Sequence, residues 1–197
     1  MTKTARLGGA LLLALLVACS GGGASPDPSA DSSGLAPIRP APDFALETLE
    51  GDTLTMASFA EYEAVLMNFW ASWCLPCKTE IPEFIAVHEA YKNQGLAVLG
   101  VTVNDLPRDS REFVEEMRVP YPSVIGTPAM LESYGLTPWL PITLLVQDGQ
   151  IVKEWVGPQT RADLDYSVRV VVGLAPPLES VIRRREATQE SSDDDER

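Results

Sequence analysis

The stretch NFWASWCLPCKTEIP, residues 68–82, places Cys74 and Cys77 with only Leu75 and Pro76 between them. Such a pair can be half of a metal site, a structural disulfide or a working dithiol. A four-ligand metal site needs two further Cys or His. The chain offers only His88 and Cys19. If one helix runs on from Cys74, His88 stands fourteen residues along it, ~21 Å away at 1.5 Å per residue. It cannot share a metal with the pair within one chain, and its place on an apolar face makes it a packing residue. A structural bridge gains little, because the stabilisation grows with the length of the loop closed.

A working dithiol fits the flanking sequence. A buried strand before Cys74 and a helix after it put Cys74 at the helix N-terminus. Unpaired backbone N–H groups and the helix dipole favour an anion there. A free thiol pKa of about 8.5 should fall toward neutrality or below. Pro76 lies in the first turn, where its missing N–H costs nothing. Cys77, one turn in, should be more buried and less acidic. Cys74 then attacks a target disulfide and Cys77 resolves the mixed disulfide.

The elements that must position the pair are legible in the pattern. DFALETLEGDTLTM reads as two short strands around Glu50-Gly51-Asp52. AVLMNFW and GLAVLGVTV are short continuous apolar runs, as expected of strands buried on both faces. From Cys74 to about Asn93, Ile81, Phe84, Ile85, His88 and Tyr91 share one helical face. DSREFVEEMRV predicts a helix capped by Asp109 or Ser110. PITLLVQDGQIVKEWVG predicts a hairpin turning at Asp148-Gly149. TRADLDYSVRVVVGL predicts a last helix capped by Thr160. Strand–helix–strand units demand a parallel sheet covered by helices, and the closing hairpin adds antiparallel strands. The fold class is therefore α/β, a mixed sheet flanked by helices.

The ends of the chain suggest a compartment. Lys3 and Arg6 precede an apolar stretch, Leu7 to Val17, too short for a membrane span. A basic start, a short apolar core and small residues after it form a secretory signal. Residues 1–18 are expected to be removed. Without Lys3 and Arg6 the chain keeps 13 basic against 28 acidic residues, a formal charge of −15. That excess argues against nucleic acid and anionic membrane surfaces as partners. Residues 19–42, rich in Gly, Ser, Pro, Ala and Asp, are expected to form a disordered tether. Residues 43–178 hold one domain, and residues 179–197 form a charged tail.

Two resemblances extend this reading. Leu16-Val17-Ala18-Cys19 resembles the lipobox of bacterial lipoproteins, which implies lipidation of Cys19 and a lipid-anchored protein of the bacterial envelope, facing the periplasm or exterior. Ser20 would favour outer-membrane sorting in a Gram-negative cell, while an electron donor would be better met at the inner membrane; both placements stay open. The region around the pair resembles the active site of thioredoxin-fold proteins, and specifically the TlpA/ResA-like membrane-anchored thiol–disulfide oxidoreductases. APDFALETLEGDTLTM resembles that family's N-terminal β-hairpin extension, and YGLTPWLPITLLVQDGQIV its cis-proline segment. Asn68 stands where cytosolic thioredoxins carry a buried Asp, Glu80 matches a buried Glu, and Pro82 a helix-kinking proline. The likeness covers about residues 41–173. Two departures are visible: Ile142 follows Pro141 where the family has Thr, and Trp139 lengthens the loop by one. Pro141 is taken as the cis residue, with Pro138 the alternative.

The resemblance implies a thioredoxin-like domain working through a redox-active Cys74–Cys77 disulfide without a cofactor or a metal. Glu80 would exchange a proton with Cys77; the alternative is a solvated helix-surface carboxylate. Trp73, Leu75, Pro76, Leu140 and Pro141 would receive the substrate, Leu140 through its backbone. The expected substrate is a disulfide-containing exported protein, for example apocytochrome c. The expected electron donor is a DsbD/CcdA-like membrane protein, and the chain is expected to act as a monomer. Three alternatives carry different signatures. A thiol oxidant would differ in potential. A thiol peroxidase normally carries Pro-x-x-x-Thr-x-x-Cys, which ASWCLPC lacks. A copper carrier of the Sco type uses Cys-x-x-x-Cys with a distal His, which neither the spacing nor His88 fits.

Overall fold

A computed structural model describes Leu35, residues 37–176 and residues 180–182. Cys19, the expected signal and most of the expected tether and tail lie outside the described residues. In chain order the strands and helices are β1 Arg39–Pro40, β2 Ala45–Glu47, β3 Thr53–Thr55, β4 Ala64–Trp70, α1 Leu75–Tyr91, β5 Leu96–Thr102, α2 Pro107–Met117, β6 Ser123–Ile125, α3 Pro128–Ser133, β7 Ile142–Gln147, β8 Gln150–Val156 and α4 Arg161–Val171. Among the described residues no helix is long and apolar enough to cross a membrane.

Six strands form one sheet in the order β1-β8-β7-β4-β5-β6. β4, β5 and β6 are parallel, joined by α1 and α2; β7, β8 and β1 add antiparallel edges. Both β4 and β5 are buried along their full length, which is why each reads as an unbroken apolar run rather than an alternation. On one face Leu66, Val98 and Leu145 pack with Phe84 and Val87 of α1 and Leu164 and Val168 of α4. On the other, Met67, Phe69, Leu99 and Leu144 pack with Phe44 and Leu46 of the N-terminal segment and with Met130 and Tyr134 at α3. A third cluster gathers Trp70, Ala71, Cys74, Cys77, Ile81 and Phe113 beyond the C-terminal end of β4. This is the thioredoxin-like mixed sheet with helices, and the β2–β3 hairpin is its extension. Residue Thr48 bridges that hairpin to Val124, and Arg111 of α2 donates to the Leu49 carbonyl at 2.7 Å.

The β7–β8 turn has Asp148 at φ 49° and Gly149 at φ 71°. Both central residues of a type I′ turn need that region, so Asp-Gly fixes the hairpin there. Thr160 caps α4 through a reciprocal pair with Asp163. Two expectations need correction. The tether does not extend to residue 42, because Arg39 and Pro40 form β1 against Ile151 and Gln150. The cap of α2 is neither Asp109 nor Ser110. The helix starts at Pro107 with Leu106 as its N-cap residue. Proline's fixed φ suits that first turn, and Ser110, already inside the helix, points inward to Thr102 and Asp105.

Candidate active site

Strand β4 delivers the chain to Ala71, and Cys74 follows as the N-cap residue of α1. Its Sγ accepts from the Cys77 N–H at 3.3 Å, and its carbonyl accepts from the Lys78 N–H at 3.2 Å. The cysteine pair is joined in a Cys74–Cys77 disulfide. Cys74 is 4% exposed and Cys77 0%, so Cys74 is the less deeply buried of the two. Pro76 sits in the first turn of α1, as its missing N–H allows. Pro82, further in, leaves the Lys78 carbonyl without an i+4 donor.

The segment before Cys74 is fastened from the side by the loop between β5 and α2. Asp105 accepts from the Ser72 N–H at 2.6 Å and from the Ser72 hydroxyl at 2.9 Å. It also accepts from the Leu106 N–H and the Ser110 hydroxyl, both at 2.9 Å. The Trp73 indole N–H donates to the Asn104 carbonyl at 3.0 Å. That anchor holds a ring that is 60% exposed. Leu75 is exposed as well, and so is Trp139. Trp73, Asn104, Leu106, Gly126 and Pro128 border an open groove of about 500 Å³. Trp70, by contrast, is fully buried and packs against Phe113, with ring centroids 4.8 Å apart and planes tilted by 36°.

Glu80 is not a surface carboxylate. It is 1% exposed, with Oε1 accepting from Asn68 Nδ2 at 2.7 Å and Oε2 from the Gln159 N–H at 3.0 Å. Burial pushes its carboxyl up to about 7, against the lowering effect of those two donors. It lies one turn beyond Cys77, on the same inward face of α1. Asn68 itself is fully buried in β4, opposite Gly100 on one side and Thr143 on the other. Burial and the negative charge of Glu80 raise the nearby Tyr121 phenol above its ordinary range. His88 lies away from this group, against the Tyr121 ring at 5.7 Å, with its pKa lowered by burial.

The second wall comes from the loop before β7. The Leu140–Pro141 peptide bond is cis. Leu140 packs on the cluster that contains both cysteines, and the Pro141 carbonyl accepts from the Gly157 N–H at 2.9 Å. Cys74, Cys77, Glu80, Leu140 and Pro141 are thus gathered at one end of the sheet, with Trp73 and Leu75 at the rim. Two residues of the site escaped the sequence reading. Gln159 acts through its main-chain N–H, which any residue supplies, so no sequence signal marks it. Asp105, two residues ahead of Pro107, carried a helix-start signal that the choice of Asp109 or Ser110 overlooked.

The AhpC/TSA family model matches residues 37–154. The chain is 33% identical over 131 residues to the thiol-disulfide oxidoreductase ResA of Halalkalibacterium halodurans, covering 66% of this chain and 73% of that one. Against ResA of Bacillus subtilis it is 32% identical over 129 residues, covering 64% and 71%. A crystal structure of a thioredoxin-family thiol:disulfide interchange protein from Chlorobium tepidum superposes with a TM-score of 0.63 at 28% identity, covering 69% of this chain and 97% of that one. With the Cys74–Cys77 pair at a helix N-terminus beside a cis-proline, these likenesses establish that the chain belongs to the AhpC/TSA family as a TlpA/ResA-like thiol–disulfide oxidoreductase.

Proposed function

We propose that this enzyme is a membrane-anchored reductant of disulfides in exported proteins, with Cys74 as nucleophile, Cys77 as resolving thiol and Glu80 as proton acceptor. The observation that carries the proton transfer is Glu80, buried one turn beyond Cys77 with its carboxyl pushed by burial up to about 7; the reductive direction follows the family likeness. In the reduced enzyme the Cys74 thiolate attacks one sulfur of the substrate disulfide. A Cys74–substrate bond forms and the other substrate sulfur leaves as a thiolate. Glu80 then takes the proton of the Cys77 thiol. The Cys77 thiolate attacks Cys74 Sγ, closing the intramolecular disulfide and releasing the second substrate sulfur. The substrate gains two electrons and the enzyme is left oxidised. A dithiol of a DsbD/CcdA-like membrane protein would return those electrons.

The Leu140 backbone makes no hydrogen bond among the described residues, and its side chain packs on the cluster that holds the disulfide. An extended substrate segment would pair with it as an added strand. Trp73, Leu75 and Pro76 would meet the same segment from the helix side. Apocytochrome c, whose haem-binding cysteines must be reduced, is the substrate class the family likeness favours. Lipidation of Cys19 would hold the domain at the envelope membrane. A peroxidase reading is disfavoured by Met67 and Ala71, which stand where the Pro and Thr of the peroxidase pattern would precede Cys74.

The test is capture with Cys77→Ser in the native host. Cys74 should hold its partner as a stable mixed disulfide in the membrane fraction, lost on Cys19→Ala. Recovery of no disulfide-linked protein would overturn the reading.

A further inference from the structure

The N-terminal segment wraps the open edge of the sheet. Leu35 packs against the cluster beneath α1 and α4, whereas Ala41 packs on the opposite face. Between them the chain runs along β8, with the Ile38 N–H donating to the Ile151 carbonyl at 2.7 Å and the Ala41 N–H to the Gly149 carbonyl at 2.9 Å. From this strap Arg39 reaches inward. Its Nη1 pairs with Glu154 Oε2 at 2.8 Å and its Nη2 donates to the Tyr134 carbonyl at 3.0 Å. Tyr134 answers in the other direction: its hydroxyl donates to the Pro42 carbonyl at 2.6 Å. One residue is therefore gripped at its main chain and at its side-chain tip by positions 39 and 42.

Tyr134 in turn anchors the loop beyond α3. It ends that helix, and the next two N–H groups fold back on it: Gly135 donates to the Glu132 carbonyl at 3.0 Å and Leu136 to the Leu131 carbonyl at 2.9 Å. At the far end Pro141 is fixed by Gly157. Thr137 to Leu140 hang between these two anchors, and they carry exposed Trp139 and Leu140, which packs on the cluster that holds the disulfide. A short span between fixed ends keeps its shape only while both ends hold.

We propose that residues 38–42 are a strap that sets the substrate-receiving loop, with Arg39 and Tyr134 as positioning residues for engagement of protein disulfides. The inference rests on the reading that Leu140 receives an extended substrate segment. It ties the edge strand of the sheet, the side from which the proposed anchor would lead, to the rim where substrates would dock.

Full-length Arg39→Gln and Tyr134→Phe should be compared with the parent in reducing insulin and the small aromatic disulfide dithionitrobenzoate. The small probe needs Cys74 but not the loop. The ratio of the insulin rate to the small-probe rate should fall by about tenfold in Arg39→Gln, the scale of one charged hydrogen bond. A smaller fall is expected in Tyr134→Phe, which keeps the ring and so guards against misfolding. Amides of Tyr134, Gly135 and Leu136 should exchange faster in both, while those of β4 and β5 keep their protection. An unchanged ratio, or a proportional fall of both rates, overturns the proposal. If the parent itself reduces no protein disulfide, the functional reading fails, and the strap is then judged by amide exchange: unaltered exchange at 134–136 sinks it.

Discussion

Two carboxylates flank the cysteines, and their surroundings differ in kind. Asp105 is half-buried and accepts four hydrogen bonds, from Ser72 twice, Leu106 and Ser110. Glu80 is almost wholly buried and accepts two, from Asn68 and Gln159. A carboxylate has roughly four acceptor sites. Asp105 fills its complement with donors that belong to the turn it holds, so it serves as a fastener. Glu80 is short of donors and out of water, which makes its charge costly and its proton movable at neutral pH. The same functional group fastens a turn on one side of the disulfide and carries a raised pKa on the other, and burial is the main cause of the difference.

Removing the fastener should cost stability across the whole pH range. Asp105→Ala leaves Ser72, Leu106 and Ser110 without their acceptor, and a loss of about 3 kcal/mol is expected from several hydrogen bonds to one charged group. Urea unfolding at pH 8 measures it. A loss below about 1 kcal/mol would show that solvent replaces Asp105 freely and would break the comparison.

For Glu80 the expected effect has a pH sign. Its carboxyl is raised in the folded chain from 4.5 to about 7. The folded state thus binds the proton more tightly than the unfolded state does. The associated stability is fully present below pH 4.5 and is lost as pH rises through about 7. The full swing is roughly 3 kcal/mol by linkage. Glu80→Gln should remove this part of the pH dependence. An equally steep stability profile in the variant would sink the assignment.

The rate effect should come next in size. Without the proton acceptor, closure of the mixed disulfide by Cys77 should slow by about tenfold to a hundredfold near pH 7, within the range of general-base contributions. The thiol pKa values should also shift in Glu80→Gln, because an anion beside Cys77 opposes thiolate formation. Single-turnover quenching of the mixed disulfide reads the step directly. Unchanged closure rates and thiol pKa values would return Glu80 to a packing role.

Much of this site was legible because its signals are local. Cys74 at a helix start, the Asp148-Gly149 turn and the Thr160 cap each depend on a few neighbouring residues. Strands β4 and β5 show as apolar runs because both faces are covered. By contrast β1, β6 and α3 are two, three and six residues long, too short for a period to emerge. The contacts that give Glu80 its character join residues 68, 80 and 159, and only the finished fold brings the last of these near. The cap of α2 was misplaced for a related reason. Ser110 has the chemistry of a cap, but its hydroxyl is spent on Thr102 and Asp105.

That same hydroxyl gives the most delicate test of the contrast between the two acids. Ser110 is fully buried, 2.8 Å from the Thr102 hydroxyl and 2.9 Å from Asp105 Oδ2. Ser110→Ala removes one of four donors to Asp105 and leaves a small void. A cost of about 1 kcal/mol is expected, the net worth of one hydrogen bond. If Asp105 only fastens, the loss should appear in unfolding, and the pH profile of disulfide reduction should keep its shape. A displaced profile would mean that the turn held by Asp105 also bears on the thiol chemistry, and the fastener would no longer be purely structural. Measuring reduction of dithionitrobenzoate from pH 5 to 9 in Ser110→Ala separates the two outcomes, because only the second moves the midpoint.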